Sequence, residues 1–236
     1  MDFLQSKNKI IPYQDWHTLG GLSISVDSVD TSPNIAVMNF SGGAVKEIFA
    51  LGDKVRLKQG GAFKYYYITN LDNTNNQFSL TGDEVAPMVV GQVVTDFAFS
   101  RSNPAIGFPS SVTVNVPITF TGTLNPAVTS LNVEMIMEGA KVRFFKKLEA
   151  TVSVAGATVY VGLPVEKAQA SVNPIGDMKA WYCDDSGDPM IGYPMFEEPW
   201  GGDPNIIGIY KWDITNWQVS GGEGLIINID YEYITS

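Results

Sequence analysis

Few side chains in this sequence are of a type that does acid–base or nucleophilic chemistry. His17 and Cys183 are the only histidine and the only cysteine among the 236 residues. A serine triad needs a histidine as its base, but His17 lies next to Trp16 in the N-terminal segment, before the first clear strand pattern. Cys183 has no second histidine to raise its thiolate fraction, and one cysteine forms neither an intrachain disulfide nor a cysteine-rich zinc site. We therefore predict no enzymatic activity, no metal and no cofactor.

Carboxylates are the other candidates for chemistry. A glycosidase needs two acids flanking the scissile bond, and neighbours such as Asp184 and Asp185 do not supply them, because adjacent residues on a strand point to opposite faces. A pair brought together from distant segments stays open. Residues 184–188 (DDSGD) have the oxygens and the glycine of a calcium loop, but they lack its spacing and its glutamate at position twelve. We interpret them as a polar turn.

Residues 180–217 are dense in aromatic residues, prolines and acids. Exposed rings on proline-rich loops can stack on sugars while nearby carboxylates accept hydrogen bonds from hydroxyl groups. Tryptophan and tyrosine are equally typical of cores and subunit interfaces, so both interpretations stay open. The residues predicted to form a glycan platform are Trp181, Tyr182, Trp200, Trp212 and Trp217.

Charge is distributed unevenly along the chain. The formal net charge is −10, and residues 180–236 contain ten acidic residues but a single basic one, Lys211. Nucleic-acid binding requires a basic surface, so this composition excludes a general nucleic-acid binder. No stretch approaches the roughly 18 apolar residues of a transmembrane helix, and residues 1–16 lack the apolar region of a secretory signal. We expect no membrane insertion.

The elements that position these side chains are predominantly strands. The 23 glycines and 13 prolines separate short apolar runs, as in all-β proteins. The pattern predicts one short helix over 44–51. It predicts strands over 53–57, 63–69, 77–81, 112–120, 131–137, 142–154, 158–163 and 225–234. We expect a small antiparallel β meander or barrel module, followed by a β-sandwich that is jelly-roll-like.

Composition divides the chain into four parts. Residues 1–34 are predicted to be an arm that attaches to a larger particle, with Trp16 and Leu19 as its apolar anchors. Residues 35–102 form the small β module, and 103–110, rich in proline and glycine, form a linker. Residues 111–236 form the sandwich domain with acidic, aromatic-rich loops.

Three stretches carry a resemblance to a known class of proteins. The first is LGDKVRLKQGGAFKYYYIT at 51–69, followed by FSLTG at 78–82; the second is NPAIGFP at 103–109. The third comprises EGAKV at 138–142 and VYVGLPV at 159–165. In this order they resemble a module of tailed-bacteriophage virion proteins of the tail-fibre or baseplate-associated, receptor-binding type. The resemblance covers roughly residues 35–165.

This resemblance implies a structural component of the virion that is assembled in the host cytoplasm and takes part in host attachment. It implies contacts with other virion proteins, a homotrimer and a host-surface glycan as ligand. A capsid decoration or head-fibre protein with a purely structural role is the first alternative. A polysaccharide depolymerase is the second.

Overall fold

The computed structural model describes residues 15–59, 61–103, 105–125, 127–166, 179–183, 189–192, 205–210, 216–217 and 225–235. In these ranges the chain consists of strands and a single turn of helix, α1 (Val45–Ile48). All strand pairings are antiparallel, and they form two sheets with separate cores. The prediction of an all-β fold is confirmed.

The first sheet contains seven strands in the spatial order β1-β7-β4-β5-β6-β3-β2. They are β1 (His17–Thr18), β2 (Ile24–Thr31), β3 (Asn34–Phe40), β4 (Lys54–Gln59), β5 (Ala62–Asp72), β6 (Gln77–Gly82) and β7 (Ala98–Ser100). Phe49, which follows α1, lies at the centre of the core on one face of this sheet. Its ring contacts the rings of Phe40, Phe78, Phe97 and Phe99.

The first sheet does not close into a barrel, and within it β4, β5 and β6 are consecutive neighbours, as in the predicted meander. Its edge strand β2 is nevertheless partly covered by residues 91–94. The Val26 amide donates to the Gln92 carbonyl (3.0 Å), and the Val94 amide donates to the Ile24 carbonyl (2.8 Å). The segment that joins β6 to β7 is therefore fixed to the sheet at this point.

The second sheet contains nine strands. They are β8 (Val112–Phe120), β9 (Thr123–Asn125), β10 (Ser130–Glu138), β11 (Lys141–Val154), β12 (Thr158–Gly162), β13 (Lys179–Cys183), β14 (Pro189–Gly192), β15 (Ile206–Tyr210) and β16 (Leu225–Ile234). Their order is β14-β13-β16-β11-β10-β8-β12-β15, and β9 pairs with β11. Buried residues alternate along β8 and β16, and residues from both halves of the sheet share one core, as in a sandwich.

Strands β8 and β16 have the bounds that the period-2 pattern predicts. Two expectations differ from the structure. Residues 17–18 and 24–31, which the sequence pattern places in the arm, are strands of the first sheet, and a bulge between Val26 and Ser28 interrupts the alternation that would have revealed β2. The helix expected over 44–51 ends at Ile48, because Phe49 adopts an extended conformation (φ −112°) and its side chain is buried in the core.

Candidate functional site

The two sheets meet at a junction, which we define by residues 15–16, 52–54, 65–67, 101–103, 105–108 and 137–139. At its centre the turn before β4 touches the turn between β10 and β11. A Cβ atom on Gly52 would lie 2.5 Å from the amide nitrogen of Gly139 and 2.7 Å from its carbonyl oxygen. Gly52 also has a φ of +80°, which residues with a side chain rarely adopt. Only glycine permits this backbone approach.

The residue after Gly52 fixes the turn through buried hydrogen bonds. The Asp53 carboxylate accepts the Ala50 amide (2.8 Å) and the Arg101 Nε–H (3.3 Å). The Arg101 guanidinium also donates to the Ile48 carbonyl (2.6 Å). Burial raises the pKa of Asp53, against the opposing effects of the Ala50 amide and the Arg101 charge. Asp53 thus joins the turn, α1 and the segment after β7.

We call the part of the chain built on the first sheet the first unit and the part built on the second sheet the second unit. Lys54 places a buried cation between these two units. Its ammonium lies 6.0 Å from the ring centroids of both Tyr67 and Phe108. Burial lowers the pKa of Lys54, while the negative charges of Glu138 and Asp53 raise it. Because Glu138 belongs to the second sheet, this electrostatic attraction acts across the junction.

Tyr67 also reaches from the first sheet to the second. It is buried among residues of the second core, and its hydroxyl forms a hydrogen bond with the backbone of Met137, near the end of β10. Burial raises the pKa of its hydroxyl to about 12. A side chain of the first sheet thus contacts the backbone of the second sheet.

The predicted linker packs against both units. The Asn103 amide donates to the Glu138 carboxylate (2.9 Å), which ties the start of this segment to the second sheet. Near its end, the Phe108 ring makes edge contacts with Tyr65 (5.6 Å) and Tyr67 (5.1 Å) between ring centroids. These contacts make Asn103 and Phe108 part of the packed junction.

Trp16 and Leu19, the predicted attachment anchors, contact their own unit in this structure. The Trp16 side chain is buried, and its indole N–H donates to the Ile106 carbonyl (2.8 Å). The Arg56 guanidinium lies 4.6 Å from the Trp16 ring centroid. Leu19 is half-buried against the first core. The Trp16 ring therefore stabilises the junction, and an attachment role for either residue stays a prediction.

Of the five residues of the predicted glycan platform, Trp217 alone has a described side chain. Trp217 is fully buried in the second core, so its ring has no exposed face on which a sugar could stack. Trp181 and Tyr182 lie on β13, beside β16, and their side chains are outside the described part of the chain. Trp200, Trp212 and the DDSGD turn are outside the described residues.

His17 lies on the short strand β1 and is exposed, with its ring 5.4 Å from that of Phe99. Cys183 is paired in register with Pro189 at the end of β13. Within the described ranges no group of three or more histidine, cysteine or acidic residues is placed to hold a metal ion.

A second feature, which sequence reasoning missed, is a polar cleft of about 490 Å³ between the two sheets. It is lined by Thr31, Asn34, Lys64, Asp83, Glu84, Ala86, Thr113, Asn115 and Asn132. The Asn115 amide donates to the Asn132 side-chain oxygen (2.9 Å), and burial raises the pKa of Asp83. The lining supplies both donors and acceptors, which suits a ligand rich in hydroxyl groups. The only signal in the sequence was the polar alternate positions of β8 and β10.

No protein-family model, curated protein or solved structure matches the chain. In the described part of the chain, no helix has the length and apolarity needed to cross a bilayer. The fold and the junction define the chain as an all-β protein of two joined units.

Proposed function

We propose that this chain is a structural component of a bacteriophage virion, in the tail fibre or baseplate, that takes part in host attachment. The observation that carries the proposal is the convergence of the three stretches that resemble such proteins. Gly52 from the first, Phe108 from the second and Gly139 from the third all lie in the junction. The resembling residues thus build one connection between two β units.

A fixed connection of this kind suits a protein that links two surfaces by binding one with each unit. The backbone approach of Gly52 to Gly139 leaves no room for a side chain on Gly52, and the rings around Phe108 pack nearby. Close-packed contacts of this type resist sliding, because displacement opens voids or creates overlaps. Two units held in one orientation can join a particle at one end and a host surface at the other.

Within this proposal, the polar cleft is the described surface best suited to a host glycan. Lys64 and Asn132 supply donors, and Asp83 supplies an acceptor, on neighbouring walls of the cleft. Sugar hydroxyl groups both donate and accept hydrogen bonds, so a mixed lining satisfies them better than a lining of one charge. The tryptophans outside the described residues remain candidates for stacking.

The alternative is a capsid decoration or head-fibre protein with a purely structural role. The burial of Trp16 and Trp217 favours it, because neither ring has a free face for a ligand. A polysaccharide depolymerase is a third candidate. Incubation of the isolated chain with the host polysaccharide tests it, and we expect no change in polymer size.

Location in the particle tests the main proposal. Phage particles are purified, and mass spectrometry identifies those that contain this chain. These particles are imaged by cryo-electron microscopy, and the density of the two β units is located. We expect the density at the tail. A position on the head would favour the alternative, and absence of the chain from purified particles would contradict both.

Binding of the labelled protein to host cells tests the cleft. The double variant Asn115→Ala/Asn132→Ala is expected to bind at least about tenfold more weakly, since hydrogen bonds to a polar ligand are lost. Asn70→Ala is the matched control, because Asn70 is exposed on β5 and does not line the cleft. Equal binding by both variants would remove the cleft from the attachment surface.

A further inference from the structure

The segment between β6 and β7 carries the most exposed apolar surface among the described residues. Val89, Val90 and Val93 are 60%, 63% and 55% exposed. The eleven residues 85–95 contain no charged side chain, in a protein of net charge −10. Exposed apolar clusters of this kind mark contact surfaces.

This segment forms one wall of an open groove of about 400 Å³. Val26, Leu57 and Met88 contribute apolar atoms to the groove, and Gly61 contributes the backbone of the β4–β5 turn. The exposed Val89 and Val90 stand beside it on the same stretch of chain. One face of the first unit therefore presents both an apolar protrusion and a recess with a mixed polar and apolar lining, and the recess is large enough to accept valine side chains.

We propose that this face, which we call the valine face, binds the valine face of a second copy of this chain. A surface that carries both a protrusion and a recess is complementary to itself, so Val89 and Val90 of one copy enter the groove of another. An uncharged partner is also required here, and the same uncharged segment of a second copy meets that requirement. The inference goes beyond the proposed function: a contact between two identical faces closes as a dimer, so it is separate from the homotrimer that the resemblance implies.

Charge at the rim of the groove supports a second copy as the occupant. The Lys58 ammonium and the Asp96 carboxylate lie 4.0 Å apart, and both side chains are exposed. Opposite charges on one face allow each copy to pair its lysine with the aspartate of the other when the faces meet. A partner with a strongly acidic or basic surface would repel one of these two charges.

The extent of the face sets the expected strength of association. Stable interfaces bury about 800 Å² on each partner. Three valines, a groove and one ion pair provide only part of this area, so we expect association in the micromolar range or weaker, favoured further where the chain is concentrated by assembly.

The test is sedimentation equilibrium of the full chain and three variants over the micromolar range. Val90→Asp places a charge in the apolar contact, and we expect it to weaken association at least about 100-fold. Lys58→Glu is expected to weaken it less, by about tenfold, and to reduce its salt dependence. Val154→Asp is the matched control, because Val154 is a 55% exposed valine on β11, in the other unit, and we expect wild-type association.

Two results would overturn the inference, and they have different consequences for the other proposals. If the wild-type chain associates and Val90→Asp associates equally well, the valine face is not the contact, while self-association and the virion role stand. If the wild-type chain is monomeric at every concentration, the proposed homotrimer falls together with the valine face. Since Val90 is exposed, circular dichroism of Val90→Asp is expected to match the wild type, which separates lost association from unfolding.

Discussion

The junction and the valine face are both contact surfaces of the first unit, but they differ in what covers them. At the junction, rings and charged groups are buried against the second unit, and Asp53 is hydrogen-bonded on two sides. At the valine face, three apolar side chains are more than half exposed. Aromatic and charged side chains thus form an internal contact at the junction, and valines form an open surface at the valine face.

This difference shows where each surface can be altered without harm to the fold. Substitutions at the junction act on stability, because its side chains have partners within the chain. Substitutions at the valine face act on association, because the contacts of its side chains lie outside the chain. The predictions below test this separation, beginning with the substitution expected to cost most.

The largest effect is expected at Gly52. Gly52→Ala places a Cβ atom within 2.9 Å of three backbone atoms of Gly139 and forces alanine into a positive φ. We expect a loss of about 3 kcal/mol in the free energy of unfolding, from steric overlap and backbone strain together. Urea unfolding followed by fluorescence measures it.

Gly139→Ala is the control for the Gly52 substitution. Gly139 also has a positive φ (+59°), but a Cβ atom there would meet open space. Only the strain of a positive φ applies, without steric overlap, so we expect a loss of about 1 kcal/mol in the free energy of unfolding. Equal losses in the two variants would show that the close approach contributes nothing to stability.

The next effect is expected at Phe108. Phe108→Ala removes a ring that contacts Trp16, Tyr65 and Tyr67, and we expect a loss of about 2 kcal/mol because the ring is only partly buried. Phe63→Ala is the matched control: Phe63 is 46% exposed and stacks on Arg56, so we expect a loss below about 1 kcal/mol. A larger loss at Phe63 would contradict the assignment of Phe108 to the junction.

Asp53 predicts a dependence of stability on pH. Its pKa is raised in the folded chain, chiefly by burial, so the folded chain holds this proton more tightly than the unfolded chain does. The resulting stabilisation is fully present below pH 3.8, the ordinary value, and is lost as the pH rises through the folded pKa. The free energies of unfolding of the wild type and of Asp53→Asn are measured from below pH 3.8 up through the folded pKa of Asp53. The variant is expected to lack the stabilisation that this proton provides. Identical pH profiles would contradict the prediction.

The smallest effect on stability is expected at the valine face. Val90→Asp is predicted to change the free energy of unfolding of the monomer by less than about 0.5 kcal/mol, because Val90 is 63% exposed. The measurement is made at a concentration where the chain is monomeric. A loss comparable to that of Phe108→Ala would mean that Val90 packs within the chain, and the contrast between the two surfaces would fail.

Strand alternation predicted much of the fold, and the reason is physical. Burial of every second residue is imposed by the geometry of a strand with one covered face, so β8 and β16 could be located from their apolar positions alone. Where a bulge shifts the alternation, as between Val26 and Ser28, the pattern fails and β2 was assigned to an arm.

The junction could not be predicted, because its contacts join distant positions. The approach of Gly52 to Gly139 and the hydrogen bond from Asn103 to Glu138 depend on how two sheets meet, which no local pattern encodes. The burial of Trp217 has the same origin, since a tryptophan among acids and prolines fits a surface loop and a core equally well.

The most direct test of the central claim, that the junction holds the two units in one orientation, is a distance distribution between spin labels. Labels are placed at the exposed positions of Ser28→Cys on β2 and Glu149→Cys on β11, in a Cys183→Ser background, and read by double electron–electron resonance. We predict a single narrow distribution for the otherwise wild-type chain and a broader one when Gly52→Ala is added. A broad or multiple distribution in the chain with Gly52 intact would contradict the account.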